Sequence, residues 1–175
     1  METFHCTTVE SPVGRLFLAA SEKGLTALEF DKRQPGKRRT GAHSISREQH
    51  CGVRECSEFL RPYALELEEY FAGKRREFSF RLDLRGTDFQ IACWRALLTI
   101  PYGETRTYAD IARIVGKPRA FRAVGMANNR NPIAIVVPCH RVLASDGTLC
   151  GYGGGLSAKR KLLELEGALS GTLAA

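Results

Sequence analysis

Apolar and polar residues alternate in three short runs at the start of the chain. The runs span residues 4–10, 15–20 and 25–30, and the segments between them, 11–14 and 21–24, both carry Ser and Gly. A period of two is typical of strands with one buried face, and Ser, Pro and Gly favour turns. The pattern therefore predicts an antiparallel meander of three strands.

A helix and a further strand are predicted next. Four apolar residues recur at helical spacing after Pro62 and stop at Gly73: Tyr63, Leu67, Tyr70 and Phe71. Pro62 suits the first turn of a helix, because the amide hydrogen that a proline lacks is unpaired there in any case. Residues 77–85 then return to alternation, which predicts one more strand. These elements form a small α/β unit, and we place an N-terminal domain at residues 1–85.

The second half of the chain, residues 86–175, changes to helical spacing. Thr87 and Gln90 form a capping-box pair, in which each side chain can accept a hydrogen bond from the other residue's backbone amide. A helix with Trp94 on its inner face should follow, and residues 157–166 have the same periodicity. We therefore expect a mostly helical C-terminal domain.

Two short predicted helices within this half form a helix-turn-helix pattern. Residues 108–115, capped by Thr107, are joined to residues 120–128 by a tight turn that contains Gly116. Residues 101–130 carry six basic and two acidic side chains, a local excess of +4. Helix pairs that never touch DNA are common, but a basic helix-turn-helix unit favours phosphate contacts and hence a nucleic-acid partner.

Composition and charge narrow the class of protein. The 175 residues are 43% hydrophobic, which is enough to build cores, and 26 basic against 19 acidic residues give a net charge of +7. That balance favours an acidic partner. No apolar stretch approaches the roughly 20 residues of a membrane span, and the N-terminal residues do not resemble a signal peptide. We expect no membrane association and a cytoplasmic protein, or a nuclear one if the source is eukaryotic.

The six cysteines are expected to be thiols rather than a disulfide framework, since no export signal is recognised. Four Cys and His residues lie in or just after a predicted basic loop at 31–50: His43, His50, Cys51 and Cys56. Their spacing fits no common zinc pattern. We therefore predict no metal site and no cofactor.

The strongest candidate for chemistry is a thiol that follows an apolar run. Residues 133–137 are apolar and end at Pro138, and directly after them come Cys139, His140 and Arg141. The run predicts a short strand or core segment. A thiol becomes a nucleophile when a neighbouring base and a cation stabilise its thiolate. The alternative is a structural cysteine, because free cysteine is among the most buried residue types.

A glycine-rich stretch at residues 151–155 follows this segment. It is not a phosphate-binding loop, because the Lys-Ser/Thr ending is missing. Glycines allow a backbone to approach a flat ligand closely. At the end of the last predicted helix, Glu166 is the carboxylate that we pair with His140, although an exposed glutamate is the ordinary expectation there.

Eight short motifs occupy most of residues 86–167: Thr87-Asp88-Phe89-Gln90, Ile100-Pro101-Tyr102-Gly103, Thr107-Tyr108, Arg122-Ala123-Val124-Gly125, Asn131-Pro132, Pro138-Cys139-His140-Arg141-Val142, Tyr152-Gly153-Gly154-Gly155-Leu156 and Glu166-Gly167. In their order and spacing they resemble those of the O6-alkylguanine-DNA alkyltransferases. The first half is similar to that family only in pattern, as a ribonuclease-H-like α/β domain. The resemblance implies an α+β fold, in which this domain precedes a mostly helical, winged-helix-like domain with the helix-turn-helix.

The resemblance implies DNA repair by irreversible, stoichiometric transfer of an alkyl group from O6-alkylguanine, and also from O4-alkylthymine, to Cys139. In the family picture His140 takes the thiol proton through a water molecule, Glu166 holds the imidazole and Asn131 orders this network. Tyr108 donates to the base ring as the guanine leaves. Displacement at an alkyl carbon requires a thiolate, and the departing oxygen requires hydrogen-bond donors.

The resemblance also implies residues that bind the damaged base. The carbonyl of Val142 accepts from the exocyclic amine, and the backbone N–H of Gly153 meets the O6 oxygen. Tyr152 and Lys159 shape and support the pocket.

Contacts with double-stranded DNA are implied for four residues: Arg119, Arg122, Ala123 and Arg141. A thiol in a protein cannot reach an atom inside a stacked duplex, so the base must be flipped out. By resemblance, the helix-turn-helix enters the minor groove, and Arg122 fills the gap in the stack. The expected partner is a duplex carrying O6-alkylguanine, bound by a monomer.

Other functions remain open for this sequence. A lesion sensor or a transcriptional regulator would bind DNA without efficient repair chemistry. The presence of Cys139 argues against the sensor, and no added regulatory domain is recognised in these 175 residues, which weighs against the regulator. Without the resemblance, a thiol hydrolase would also fit Cys139 and His140, and it would show many turnovers.

Overall fold

The computed structural model describes residues 3–31 and 57–169 of the chain. Contacts divide the chain into two compact units, Met1–Leu84 and Arg85–Ala175. Within the described ranges, no helix combines the length and the apolar character needed to cross a membrane.

Two sequence-based expectations fall on residues outside this description. Apart from Asp31, the predicted basic loop at 31–50 lies there, as do His43, His50, Cys51 and Cys56. Among the described residues, no group of three or more His, Cys, Asp or Glu side chains is placed to hold a metal ion.

The N-terminal unit is built on a three-stranded antiparallel sheet, which confirms the predicted meander. Its strands are β1 (Phe4–Val9), β2 (Leu16–Ser21) and β3 (Gly24–Phe30), in the spatial order β1-β2-β3. The central strand β2 is buried along its whole length, so its apolar side chains form the centre of this unit's core.

Helix α1 (Ser57–Phe71) packs against β1 and β2. It starts five residues before Pro62, so the prediction that Pro62 opens the helix is wrong. A proline inside a helix removes one backbone hydrogen bond. The turn before it is held by tertiary contacts, because Leu60 is fully buried and the ring of Phe59 stacks on His5 with centroids 4.2 Å apart.

Residues 77–85 do not form the predicted strand. One parallel bridge joins Leu25 to Leu82, in which Leu25 N–H donates to Arg81 O (2.9 Å) and Asp83 N–H donates to Leu25 O (2.8 Å). The alternating apolar side chains pack on α1 instead, since two of their aromatic rings lie 4.8 and 5.4 Å from tyrosine rings of that helix. The alternating pattern here therefore reflects the burial of one face of this segment and not its pairing in a sheet.

The described part of the C-terminal unit contains four helices, α2 (Asp88–Leu97), α3 (Tyr108–Ile114), α4 (Phe121–Asn129) and α5 (Leu156–Leu165). Helices α2, α3 and α4 pack against one another, and the indole N–H of Trp94 donates to a carbonyl of α4 over 3.0 Å. Consecutive helices α3 and α4 form the predicted helix-turn-helix. The mixed fold, with strands first and helices after, is confirmed.

Capping boxes start both α2 and α3. Thr87 Oγ1 accepts from Gln90 N–H, while the Gln90 side chain accepts from Thr87 N–H. The same exchange joins Thr107 and Asp110. The backbone and hydroxyl hydrogen bonds that Thr107 donates lower the pKa of Asp110. The first turn of α3 is therefore fixed by its own side chains.

A two-residue parallel pairing, which the sequence pattern did not predict, links distant parts of this unit. Strand β4 (Arg106–Thr107) pairs with β5 (Val142–Leu143). Strand β4 leads directly into Tyr108, and β5 follows the segment of Cys139. The pairing brings the start of α3 beside the candidate nucleophile.

We expect Thr107→Ala to lower the free energy of unfolding by about 1 kcal/mol, because the loss of an N-cap hydroxyl typically has this effect. Thr107→Ser keeps the hydroxyl and should stay within about 0.5 kcal/mol of the wild type. Urea unfolding followed by circular dichroism measures both variants. An alanine variant as stable as the serine variant would show that the cap does not stabilise α3.

Candidate active site

The apolar residues 133–137 form a tight buried loop, and they are a core segment rather than a strand. Val137 N–H donates to Ile133 O over 2.9 Å, and Ile135 adopts a positive φ of 73°. Asn131 closes the loop, because its Oδ1 accepts from Ile133 N–H (3.0 Å) and its Nδ2 donates to Val137 O (2.8 Å). Burial of five consecutive apolar residues holds this strained conformation.

Cys139 begins a single 3-10 turn, Cys139–Arg141, and only 7% of its surface is exposed. The side-chain amide of Asn131 donates to its Sγ over 3.2 Å. Burial raises the pKa of the Cys139 thiol, while the Asn131 hydrogen bond and the positive charge of Lys159 act in the opposite direction. The thiol is therefore protonated at pH 7, and it needs a base to become a nucleophile.

His140 is completely buried, and its Nε2 lies 2.8 Å from Oε1 of Glu166. Burial lowers the pKa of His140, although the neighbouring carboxylate opposes this effect. A neutral imidazole whose Nε2 faces a carboxylate carries its proton on Nε2, so Nδ1 keeps a lone pair. No described protein group hydrogen-bonds to this Nδ1, which is therefore able to accept a proton.

Glu166 is fixed by a guanidinium as well as by the imidazole. Arg141 donates from Nε to Oε2 (2.8 Å) and from Nη2 to Oε1 (2.9 Å), and its Nη1 donates to the carbonyl of Ile100 (2.6 Å). Burial alone raises the pKa of Glu166, but the hydrogen bonds from His140 and Arg141 outweigh it and give a pKa of about 2. The carboxylate is therefore ionised throughout the physiological range.

Lys159 is a second buried cation, located on α5. Its Nζ donates to the carbonyls of Val142 (2.6 Å) and Cys150 (2.8 Å). Desolvation lowers the pKa of Lys159, and negative charge on Cys150 or Cys139 opposes this effect. The ammonium group ties both ends of residues 142–150 to α5 and places positive charge near the candidate nucleophile.

Tyr108 is the first residue of α3, and it is half-buried. A Cβ added to Gly125 would lie 3.8 Å from the tyrosine ring, so the backbone of α4 packs directly on that ring. The hydroxyl lies 3.7 Å from Sγ of Cys150. Burial raises the pKa of Tyr108, so the phenol keeps its proton at neutral pH and can donate it.

The glycine-rich segment passes the buried histidine. The ring of Tyr152 lies edge-on to His140, with centroids 6.4 Å apart. Gly153 is exposed, and a Cβ added there would meet no atom within 4 Å. A planar ligand can therefore approach the backbone of Gly153 without obstruction.

Three residues implied in DNA binding lie on the surface of the helix-turn-helix. Arg119, in the turn, and Arg122 and Ala123, in the first turn of α4, are all exposed. The guanidinium of Arg122 lies 5.9 Å from the centroid of the Phe121 ring, which is itself 46% exposed. A basic and partly apolar face of this kind can contact both phosphates and bases.

Two family models match the chain, in the order of its two units. The model described as 6-O-methylguanine DNA methyltransferase, ribonuclease-like domain, matches residues 4–84, and the model of the DNA binding domain of the same family matches residues 88–168. A methylated-DNA--protein-cysteine methyltransferase from Methanosarcina barkeri is 53% identical over 158 residues, which cover 90% of this chain and 94% of that protein. The chain belongs to the 6-O-methylguanine DNA methyltransferase family.

Solved structures of relatives in this family have the same fold. The O6-methylguanine methyltransferase of Mycobacterium tuberculosis superposes with a TM-score of 0.78 at 45% identity, covering 98% of this chain and 96% of that one. Mycobacterium tuberculosis OGT in complex with DNA superposes with a TM-score of 0.76 at 48% identity, covering 94% and 93%. The family and the order of its two domains, which the sequence motifs imply, are confirmed.

In this family member the structure brings most of the expected site residues together. Asn131 contacts Cys139, and His140 contacts Glu166, whose side chain is fully buried and so differs from that of an ordinary helix-end glutamate. The carbonyl of Val142 faces inward, where it accepts from the buried lysine. These contacts join residues 131–142 to α5 and its C-terminal cap.

Arg141 corrects one sequence-based expectation for this methyltransferase family member. The resemblance implied a DNA contact, but the Arg141 side chain is only 9% exposed, and it donates hydrogen bonds to Glu166 and to the carbonyl of Ile100. The strong carboxylate acceptor Glu166 draws the guanidinium inward. Arg141 therefore holds the Glu166 carboxylate, and its side chain is buried, unlike those of Arg119 and Arg122.

The sequence reasoning missed two participants in the site. The backbone carbonyl of Ile100 accepts from the buried guanidinium, and Cys150 contacts Tyr108 and, through its carbonyl, Lys159. Neither carries a sequence signal, because a carbonyl is present at every residue and a cysteine in a loop fits many roles.

We expect Arg141→Ala to lower the free energy of unfolding by about 3–5 kcal/mol, because it leaves the Glu166 carboxylate buried without its cation. Arg113→Ala is the matched control, since Arg113 pairs with Asp110 at the surface with 66% of its side chain exposed, and it should change stability by about 0.5 kcal/mol or less. Urea unfolding measures both. Equal, small losses of stability in the two variants would show that the buried Arg141–Glu166 ion pair does not stabilise the fold.

Proposed function

We propose that this protein repairs alkylated DNA by transferring the alkyl group from O6-alkylguanine irreversibly to Cys139. The observation that carries the proposal is the buried pairing of Cys139 with Asn131 and of His140 with Glu166. It provides a thiol, a proton acceptor beside it in the chain and a fixed carboxylate. The relatives named methylated-DNA--protein-cysteine methyltransferase support the same activity.

The first step is activation of the thiol. His140 Nδ1 takes the Cys139 proton through a water molecule, and the resulting imidazolium is stabilised by the Glu166 carboxylate 2.8 Å from Nε2. The Asn131 amide, 3.2 Å from Sγ, stabilises the thiolate that forms. Because burial holds the thiol protonated otherwise, activation depends on this relay.

The second step is displacement at the alkyl carbon. The Cys139 sulfur forms a bond to that carbon, the carbon–O6 bond breaks, and its electron pair leaves with the guanine. The Tyr108 hydroxyl donates to the base ring, and the Gly153 N–H donates to O6, so the developing charge is neutralised. The Val142 carbonyl, supported by Lys159, accepts from the exocyclic amine. The thioether product has no route back to a thiol, so each molecule reacts once.

Access to the thiol requires the base to leave the duplex. Cys139 is 7% exposed, and an atom inside a stacked helix cannot reach it. The helix-turn-helix enters the minor groove, where sequence readout is degenerate and repair does not depend on the neighbouring bases. Arg122 fills the gap in the stack, while Arg119 and Ala123 contact the adjacent backbone.

Finer features of the activity belong to the same proposal. The partner is a duplex that carries O6-alkylguanine, and the protein acts on it as a monomer. O4-alkylthymine is a further substrate. The protein works in the cytoplasm, or in the nucleus if the source is eukaryotic.

We expect one methyl group per molecule on the Cys139 peptide after incubation with a duplex containing O6-methylguanine, because the thioether is stable. Cys139→Ala should acquire none. Intact and peptide mass analysis measures both proteins. A wild type that binds the damaged duplex but acquires no methyl would contradict the proposal and indicate a lesion sensor.

Two arginines of the helix-turn-helix should differ in their effects. Arg119→Ala removes a phosphate contact, so the slope of log affinity against log salt should fall by about 1. Arg122→Ala should leave that slope nearly unchanged but slow methyl transfer at least about tenfold, because unstacking a base has a cost of a few kcal/mol that Arg122 no longer offsets. Fluorescence titrations at several salt concentrations and single-turnover rates distinguish them. Identical slopes and rates would contradict the separate roles.

A further inference from the structure

Cys150 lies at the point where three parts of the active site meet. Its Sγ is 3.7 Å from the hydroxyl oxygen of Tyr108, and its backbone carbonyl accepts a 2.8 Å hydrogen bond from Lys159. The next residue, Gly151, is at φ +37°, and a Cβ there would lie 3.7 Å from the side chain of Asn129 at the end of α4. Cys150 therefore connects α5 with the start of α3, and the residue after it lies beside the end of α4.

The direction of the thiol contact matters for the chemistry of the tyrosine. The thiol S–H of Cys150 donates to the phenol oxygen of Tyr108. A phenol can accept one hydrogen bond and donate another at the same time. An oxygen that accepts from the thiol keeps its own O–H for a different acceptor.

Neighbouring groups fix the positions of both Tyr108 and Cys150. Tyr108 follows the capping box of Thr107 and Asp110, and the backbone of Gly125 packs on its ring. Cys150 is held by the ammonium group of Lys159, which is itself fully buried. Neither side chain needs to move for the Tyr108 hydroxyl to be oriented. This is the arrangement expected of a preorganised hydrogen-bond donor.

We propose that Cys150 is a positioning residue that orients the Tyr108 hydroxyl toward the departing guanine. This inference rests on the proposed alkyl transfer, in which Tyr108 is the donor. Cys150 does not itself touch the alkyl group, and Cys139 is still the only acceptor of it. A second cysteine of the site thus contributes to the proposed reaction, as a hydrogen-bond donor to Tyr108.

The test is a double-mutant cycle on the full chain. The variants are Cys150→Ala, Cys150→Ser, Tyr108→Phe and the double variant Cys150→Ala/Tyr108→Phe. For each, affinity for a duplex with unmodified guanine is measured first, and then the first-order rate of methyl transfer to Cys139 at saturating O6-methylguanine duplex. Cys6→Ala, which removes a thiol from β1 of the other unit, is the matched control.

We expect Cys150→Ala to slow transfer about threefold to tenfold, the range of one net hydrogen bond, with DNA affinity within about twofold of the wild type. Cys150→Ser keeps a donor and should restore the rate to within about twofold. In the Tyr108→Phe background, removing the thiol should change the rate by less than about 1.5-fold, because the two groups act as one unit. Cys6→Ala should match the wild type.

Three results would overturn the inference. They are an unchanged rate in Cys150→Ala, an equal loss with and without the Tyr108 hydroxyl, and a loss confined to DNA affinity. A wild type that transfers no methyl at all would instead contradict the proposed function, so the two failures are distinguishable.

Discussion

The active site depends on one buried carboxylate being kept ionised. Glu166 has no exposed side-chain surface, and an isolated charge would be expensive there. The two-point contact of Arg141 compensates for this burial, and the ionised carboxylate then sets the imidazole tautomer. Since the proton of His140 is on the nitrogen that faces Glu166, the other nitrogen is the base. In the proposed transfer, a guanidinium bonded to Glu166 and Ile100 thus determines which imidazole nitrogen accepts the Cys139 proton.

Burial has opposite effects on the two groups that must exchange a proton. It raises the pKa of Cys139 and lowers the pKa of His140, so in the resting site both are neutral. A neutral thiol is weakly reactive toward chance electrophiles. The Asn131 amide, which donates to the sulfur, and the positive charge of Lys159 would stabilise negative charge there once the relay has moved the proton. In the proposed transfer, low exposure and fixed dipoles together give a nucleophile that reacts with the alkyl carbon of a base placed beside it.

Elements with a local cause were predictable. The meander follows from alternation and turn residues, and α2 and α3 begin at capping boxes that two side chains complete within one turn. Elements that depend on contacts with distant parts of the chain were predicted wrongly. The turn before Pro62 is helical because it packs on the sheet, and residues 77–85 bury alternate side chains on α1 rather than pairing as a strand. Of the two structures predicted for the run 133–137, the core segment is present and the strand is not, because its hydrogen bonds go to Asn131 and within the loop itself.

The sequence by itself determined the chemistry of this protein, because the order of its thiol, imidazole and glycine-rich motifs is linear information. It also determined the basic helix-turn-helix, since spacing and charge are local. Only the tertiary structure decided how the groups are used. The placement of Arg141 against Glu166, and of Cys150 against Tyr108, depends on segments that meet through a two-residue strand pairing and a buried lysine. Contacts of this kind join residues far apart in the chain, and no local pattern encodes them.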